Sequence, residues 1–191
     1  MTARRLAAAV LLLWATPASA HTVLGIGGFT GGLLHPVLVL AHALSLVALG
    51  LLIGSRPGRT TAFVSFAVAL ACGLVALTFA VGETLAPLIL LADAALIALI
   101  VACDWTPPTS MTVLLAAIAG GAIGLDSPPD AVTLEEGNLM LVGTWLGACT
   151  ALALVAAAGC RLQRPWQVLG VRIAGSWIAA SALLVLVQAL R

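Results

Sequence analysis

Six apolar stretches, at roughly 31–54, 61–82, 85–103, 109–125, 138–160 and 167–190, take up most of this chain. Each reaches or approaches the ~20 residues that an α-helix needs to cross the hydrocarbon core of a bilayer. The connections between them are short and rich in turn residues: Ser55-Arg56-Pro57-Gly58, Thr106-Pro107-Pro108 and Asp126-Ser127-Pro128-Pro129. They leave no room for a soluble domain.

Composition points the same way. Hydrophobic residues make up 62% of the 191 residues and charged residues only 8%, where soluble domains carry about 25% charge. A water-soluble fold of this size would leave roughly a third of its surface exposed, and there are too few polar residues to cover it. Lipid must be the solvent. The expected fold is all-α, a polytopic membrane bundle of about six transmembrane helices, with residues 21–191 forming one domain.

Residues 1–20 read as a segment that is removed. Arg4 and Arg5 form a basic region, and Leu6 to Trp14 an apolar core too short to span. Pro17-Ala18-Ser19-Ala20 ends in a small-x-small pattern, so the sequence predicts a secretory signal peptide cleaved after Ala20. An uncleaved anchor and a twin-arginine export signal are the alternatives. Cleavage leaves His21 as the mature N-terminus, outside the cell membrane.

The orientation agrees with the arginines, which supply every one of the eight cations. With His21 outside, Arg56, Arg59, Arg161, Arg164 and Arg172 fall at the cytoplasmic side, as the positive-inside rule requires. Glu83, Asp126, Asp130, Glu135 and Glu136 fall outside. These acids read either as solvation for the outer loops or as a mouth that attracts cations. The expected location is the bacterial inner membrane, multi-pass, with the mature N-terminus periplasmic.

Cys72 and Cys149 lie within apolar stretches, and Cys103 and Cys160 at their cytoplasmic ends. None falls in an external loop and none forms a C-x-x-C pair, so a disulfide framework is not expected. They read as small buried packing residues. Gly120 with Gly124, and Gly143 with Gly147, have the small-x-x-x-small spacing that lets helix backbones approach closely.

A few polar residues have no place in an inert bundle. The chain holds three histidines: His21, and then His35 and His42 in the first apolar stretch. Asp93 lies inside the third stretch, and Glu83 at the outer end of the second. An ionisable group near the bilayer centre costs about 2.5–3.5 kcal/mol on insertion scales, and such groups usually face the bundle interior and mark an ion path. Counting inward from the outer face, His42 and Asp93 lie at similar depths, roughly 12–17 Å. They are expected to meet, either at a site or in a hydrogen bond that only fixes packing. His35 and His42, on one helix face about 10.5 Å apart, fit two successive stations better than one shared ion. Pro36 weakens the first turn between them. At His21, a free terminal amine and its own imidazole can chelate one metal.

Together, the signal segment followed by His21, the run His35-Pro36-Val37-Leu38-Val39-Leu40-Ala41-His42 and the late Arg172-Ile173-Ala174-Gly175 resemble the HupE/UreJ family. These are small membrane proteins associated with hydrogenase and urease maturation. The family's first helix carries H-P-x-x-G-x-D-H; His35, Pro36 and His42 match, while Val39 and Ala41 stand for the glycine and aspartate. A later family segment, G-L-x-H-G, is similar to Gly124-Leu125-Asp126-Ser127, with Asp126 as an oxygen ligand in place of the histidine. Asp93 stands where the family has a glutamate. The chain thus resembles a divergent member.

The resemblance implies permeation of nickel or cobalt. The expected function is a permease or channel for a divalent transition metal, with His21, His35, His42, Asp93, Asp126 and Glu83 as the metal-handling residues. Imidazole and carboxylate suit several such metals. No tightly bound cofactor is expected; the metal is cargo. The expected partners are the bilayer, the metal ion, and further copies of the chain or metalloenzyme maturation proteins. Nucleic acid is not among them. The alternative is a non-transporting accessory or scaffold subunit. An enzyme is not expected: Ser45 lies one turn from His42, but no G-x-S-x-G sequence or oxyanion-forming loop accompanies it.

Overall fold

The computed structural model describes residues 27–55, 58–77, 85–131 and 133–190. Among these there are seven helices and no strand: α1 (Gly28–Leu38), α2 (Leu40–Gly54), α3 (Arg59–Leu77), α4 (Ala86–Ala102), α5 (Thr109–Leu125), α6 (Leu134–Gly159) and α7 (Pro165–Ala189). They follow the six apolar stretches closely, with the first stretch divided in two. α3, α6 and α7 are long and apolar enough to cross a membrane, and α1 with α2 adds a fourth crossing if the bent pair is one span. α4 and α5, at 17 residues each, extend about 26 Å, slightly less than the ~30 Å core.

The helix ends are set locally. α6 begins four residues before its apolar stretch because Thr133 caps it: the Thr133 Oγ1 accepts from the Glu136 N–H at 3.2 Å. Glu135 and Glu136 occupy the first turn, where carboxylates favour the positive end of the helix dipole. α4 ends in a Schellman turn, with Asp104 at φ 53°. There the Trp105 N–H donates to the Ile100 carbonyl and the Asp104 N–H to the Val101 carbonyl, both at 3.1 Å.

α2 and α4 form the interior. On α2, Leu46, Ala48, Leu49, Leu52 and Ile53 are all buried; on α4, so are Leu90, Ala94, Ile97 and Ala98. The outer helices keep large apolar side chains exposed, among them Val64 and Val68 on α3, Leu154 on α6 and Trp177 and Leu184 on α7. In water this would be a liability; against acyl chains it is the expected surface.

Glycine makes the closest seams, as the spacing predicts. A Cβ on Gly143 would strike the Phe29 carbonyl, and one on Gly147 the Leu33 carbonyl, so α1 lies directly on α6. Gly120 and Gly124 do the same for α3 against α5, where a Cβ on Gly124 would come 2.7 Å from the Leu70 carbonyl. The Arg172–Gly175 pair has a structural explanation. A Cβ on Gly175 would come 2.9 Å from the Ala98 carbonyl, and Arg172, one turn earlier, donates from Nε to the Ala102 carbonyl at 3.0 Å. One residue lets α7 approach α4 and the other satisfies a carbonyl that α4's last turn leaves open.

The cysteines depart from the expectation. Cys149 alone is buried; Cys72 and Cys103 are exposed, and Cys160 is half-buried. All four are free thiols, in keeping with the absence of a disulfide pattern.

Gly147→Val should lower the thermal unfolding temperature of the detergent-solubilised protein, because overpacking against backbone costs about 1–3 kcal/mol. Gly170→Ala, on an α7 position with open space around it, should leave that temperature unchanged or raise it, since alanine favours a helix over glycine by roughly 0.5–1 kcal/mol. Equal effects from the two would contradict the packing.

Candidate functional site

The site forms where the first apolar stretch stops being one helix. Pro36 is buried within α1. It has no N–H to give to the residue one turn back, and its ring crowds that carbonyl. Three residues later, Val39 is extended, at φ −79° and ψ 117°. Its N–H still donates to the His35 carbonyl at 3.0 Å, and its own carbonyl accepts from the Ala43 N–H at 2.9 Å. The break is therefore confined to one residue, yet α1 and α2 meet at 67°.

That bend changes the relation between the two histidines. In an unbroken helix they would lie about 10.5 Å apart along the axis. Across the break their ring centroids are 5.2 Å apart, with the planes at 69°. The bend thus brings the two imidazoles into edge-to-face contact, closer than regular helix spacing would put them.

His42 is fully buried and donates from Nε2–H to Asp126 Oδ2 at 3.0 Å. An ionised carboxylate can only accept; in the neutral tautomer of His42 that donates from Nε2, Nδ1 keeps its lone pair. Asp126 is the C-cap of α5, where the helix dipole disfavours a carboxylate. Its bond to His42 compensates. The Asp126 side chain is 23% exposed and that of His42 0%, so the pair runs from the surface into the interior.

The acid on His42 is therefore not the expected one. Depth alone matches His42 to Asp93, but the bend at Val39 directs the start of α2 toward the end of α5. Asp93 stays on α4, buried at 6% exposure. Leu91, Ala94 and Ala95 of α4 pack with Ala41 and Leu44 of α2, which puts Asp93 level with the turn from His42 to Ser45. His42 Nδ1, Ser45 Oγ and Asp93 Oδ2 are each buried with no hydrogen-bond partner. Buried polar atoms are nearly always paired, so these three are unusual for a packed core. The Ser45 hydroxyl makes no bond to His42, and no Ser–His pair forms.

His21 and Glu83 lie outside the described residues. Asp130, Glu135 and Glu136 are exposed; of the acids between α5 and the first turn of α6, Asp126 is the one drawn to a histidine. Among the described residues, no three histidine, cysteine or acidic side chains converge closely enough to hold one ion.

Comparison with known families places this geometry. The family described as HupE / UreJ protein matches residues 9–185. The chain belongs to the HupE/UreJ family. Searches of curated proteins and of solved structures found no match. Within the family pattern, the helix break falls at Val39, the position of the pattern's glycine. The pattern's aspartate beside the second histidine is Ala41 here, and the carboxylate at His42 comes instead from α5. Ser45 is the residue that sequence reasoning passes over as a site component. Its spacing of three from His42 is the one signal, and nothing in the sequence separates that from ordinary helix packing; the structure adds that its hydroxyl is buried without a partner.

Asp126→Ala should destabilise the protein by about 1–3 kcal/mol, the cost of leaving a buried partner of a charged hydrogen bond unmet. Asp126→Asn should recover part of the loss. Thermal unfolding of the three proteins checks this, and an unchanged Asp126→Ala variant would contradict the pairing.

Proposed function

We propose that this HupE/UreJ-family membrane protein is a permease or channel for a divalent transition metal, nickel or cobalt favoured, across the bacterial inner membrane. The proposed bundle crosses six times, with the bent α1–α2 pair as one crossing and the mature N-terminus outside. His42 carries the reading. Its Nε2–H is held by Asp126, which orients the ring and strengthens the other nitrogen as a donor, the arrangement that accompanies metal-ligating histidines. Its Nδ1, like Ser45 Oγ and Asp93 Oδ2, is buried with no hydrogen-bond partner, which supports the reading.

In this reading the cation arrives past Asp126, binds at His35 and His42, and moves on to Ser45 and Asp93. His21 and Glu83 would assist capture at the mouth. Asp93 offers a carboxylate that offsets the cation's charge where lipid surrounds the bundle. Conduction needs binding strong enough to admit an ion and weak enough to release it. Donors spread over α1, α2 and α4 suit transit better than a closed cage. The membrane potential drives inward movement, by about 2.3 kcal/mol per charge per 100 mV, and no covalent chemistry is required.

One observation favours a second reading, a non-transporting accessory subunit of metalloenzyme maturation. No three of these side chains converge on a single ion among the described residues. That subunit would take up no metal and use the His42–Asp126 pair for packing alone.

Whole-cell uptake of radioactive nickel and cobalt distinguishes the two. His42→Ala and Asp93→Asn should each reduce uptake by about tenfold or more, the scale of losing a ligand or its support, while Glu135→Gln stays near wild type. Uptake should also weaken as the external medium is acidified, because a ligating imidazole must be unprotonated. Uptake equal to wild type in His42→Ala, at matched protein levels, would leave the accessory reading standing.

A further inference from the structure

At the opposite end of α2 from His42, the ends of α2 and α6 and the start of α3 enclose a second feature. An apolar groove with a cavity volume of about 480 Å³ is formed by Ile53, Phe63, Ala153, Ala156 and Ala157, with Arg59 and Arg161 at its rim. It adjoins a polar recess of about 570 Å³ that shares Arg59, Thr60 and Cys160 and adds Thr61 and Gln163. No carboxylate lines either one. Among the described residues neither arginine forms an ion pair with an acid.

We propose that this groove is a binding site for one anionic phospholipid, with the phosphate headgroup at Arg59 and Arg161 and an acyl chain along Phe63 and the alanines of α6. Three observations fix the occupant's chemistry. The rim is cationic and the groove apolar, so the ligand must be anionic at one end and hydrocarbon at the other. Arg59 opens α3, and the first-turn N–H groups at Arg59, Thr60 and Thr61 precede the first bond of that helix, from the Ala62 N–H to the Gly58 carbonyl at 3.1 Å. Such open N–H groups favour a phosphate. The guanidinium also lies against the Cys160 Sγ, and that thiol donates to the Gly54 carbonyl at 3.0 Å. Basic pockets between helices at a membrane surface are the usual place for lipid phosphates. Because α2 joins this groove directly to the His42 site, a bound lipid would brace the inner end of the helix whose outer end carries the histidine.

The test uses the purified full-length protein in nanodiscs, with unfolding followed by tryptophan fluorescence. Phosphatidylglycerol should raise the midpoint by several degrees over phosphatidylcholine. Arg59→Gln/Arg161→Gln should remove that difference, and Arg164→Gln, a cation at the same end outside the groove, should keep it. Ala157→Leu, which fills the groove and leaves both charges, should shrink it, and decides the matter alone if the double variant does not fold. The proposal is overturned if the two lipids act alike, if inorganic phosphate in phosphatidylcholine nanodiscs reproduces the shift, if Arg164→Gln abolishes it, or if Ala157→Leu retains it in full.

Discussion

The rest of the structure depends on one extended residue, Val39. In a bilayer an unmet backbone hydrogen bond costs several kcal/mol, so a break in a helix is tolerated only where protein covers it. Here the break leaves neither Val39 backbone group unmet: its N–H donates to the His35 carbonyl and its carbonyl accepts from the Ala43 N–H. Before the break, Gly143 and Gly147 seat the backbone of α1 directly against α6. The bend at Val39 brings His35 to His42 and aims His42 at Asp126. Without it, the first apolar stretch would be an ordinary span with two distant imidazoles.

The bundle separates two kinds of polar group. At the arginine-bearing end, polar side chains mostly satisfy backbone: Arg172 closes α4, and Cys160 reaches the Gly54 carbonyl. At the other end, polar side chains leave atoms unmet inside the protein. His42 Nδ1, Ser45 Oγ and Asp93 Oδ2 give up hydrogen bonds that a purely structural core would have made. That contrast supports placing the proposed ion path beside α2 and not elsewhere in the bundle.

The divergence of the His35–His42 run from the family pattern also has a physical reading. The pattern puts an acid directly before the second histidine; this chain has Ala41 there and brings a carboxylate from the C-terminus of α5. Asp126 gains a partner that offsets an unfavourable helix end, and His42 gains an orienting acid. The same electrostatic role is filled from a position 84 residues away in sequence.

Sequence by itself determined that this is an all-helical membrane protein, where its helices lie, that Gly120, Gly124, Gly143 and Gly147 form seams, and which family it belongs to. Those properties are local or additive: apolar length, turn residues, small-residue spacing and a short motif are each read from neighbouring positions. Tertiary structure decided which groups meet. Equal depth suggested His42 with Asp93, and regular helix geometry suggested separate histidine stations. The second assumes a straight helix, which the extended Val39 interrupts; the first holds for depth, but the carboxylate bonded to His42 comes from α5. Nothing in Val39 itself announces the bend, because valine is at home in a helix or in extended backbone. Its conformation is fixed by Pro36 before it and by the packing of α1 on α6, which becomes visible only once the helices are assembled.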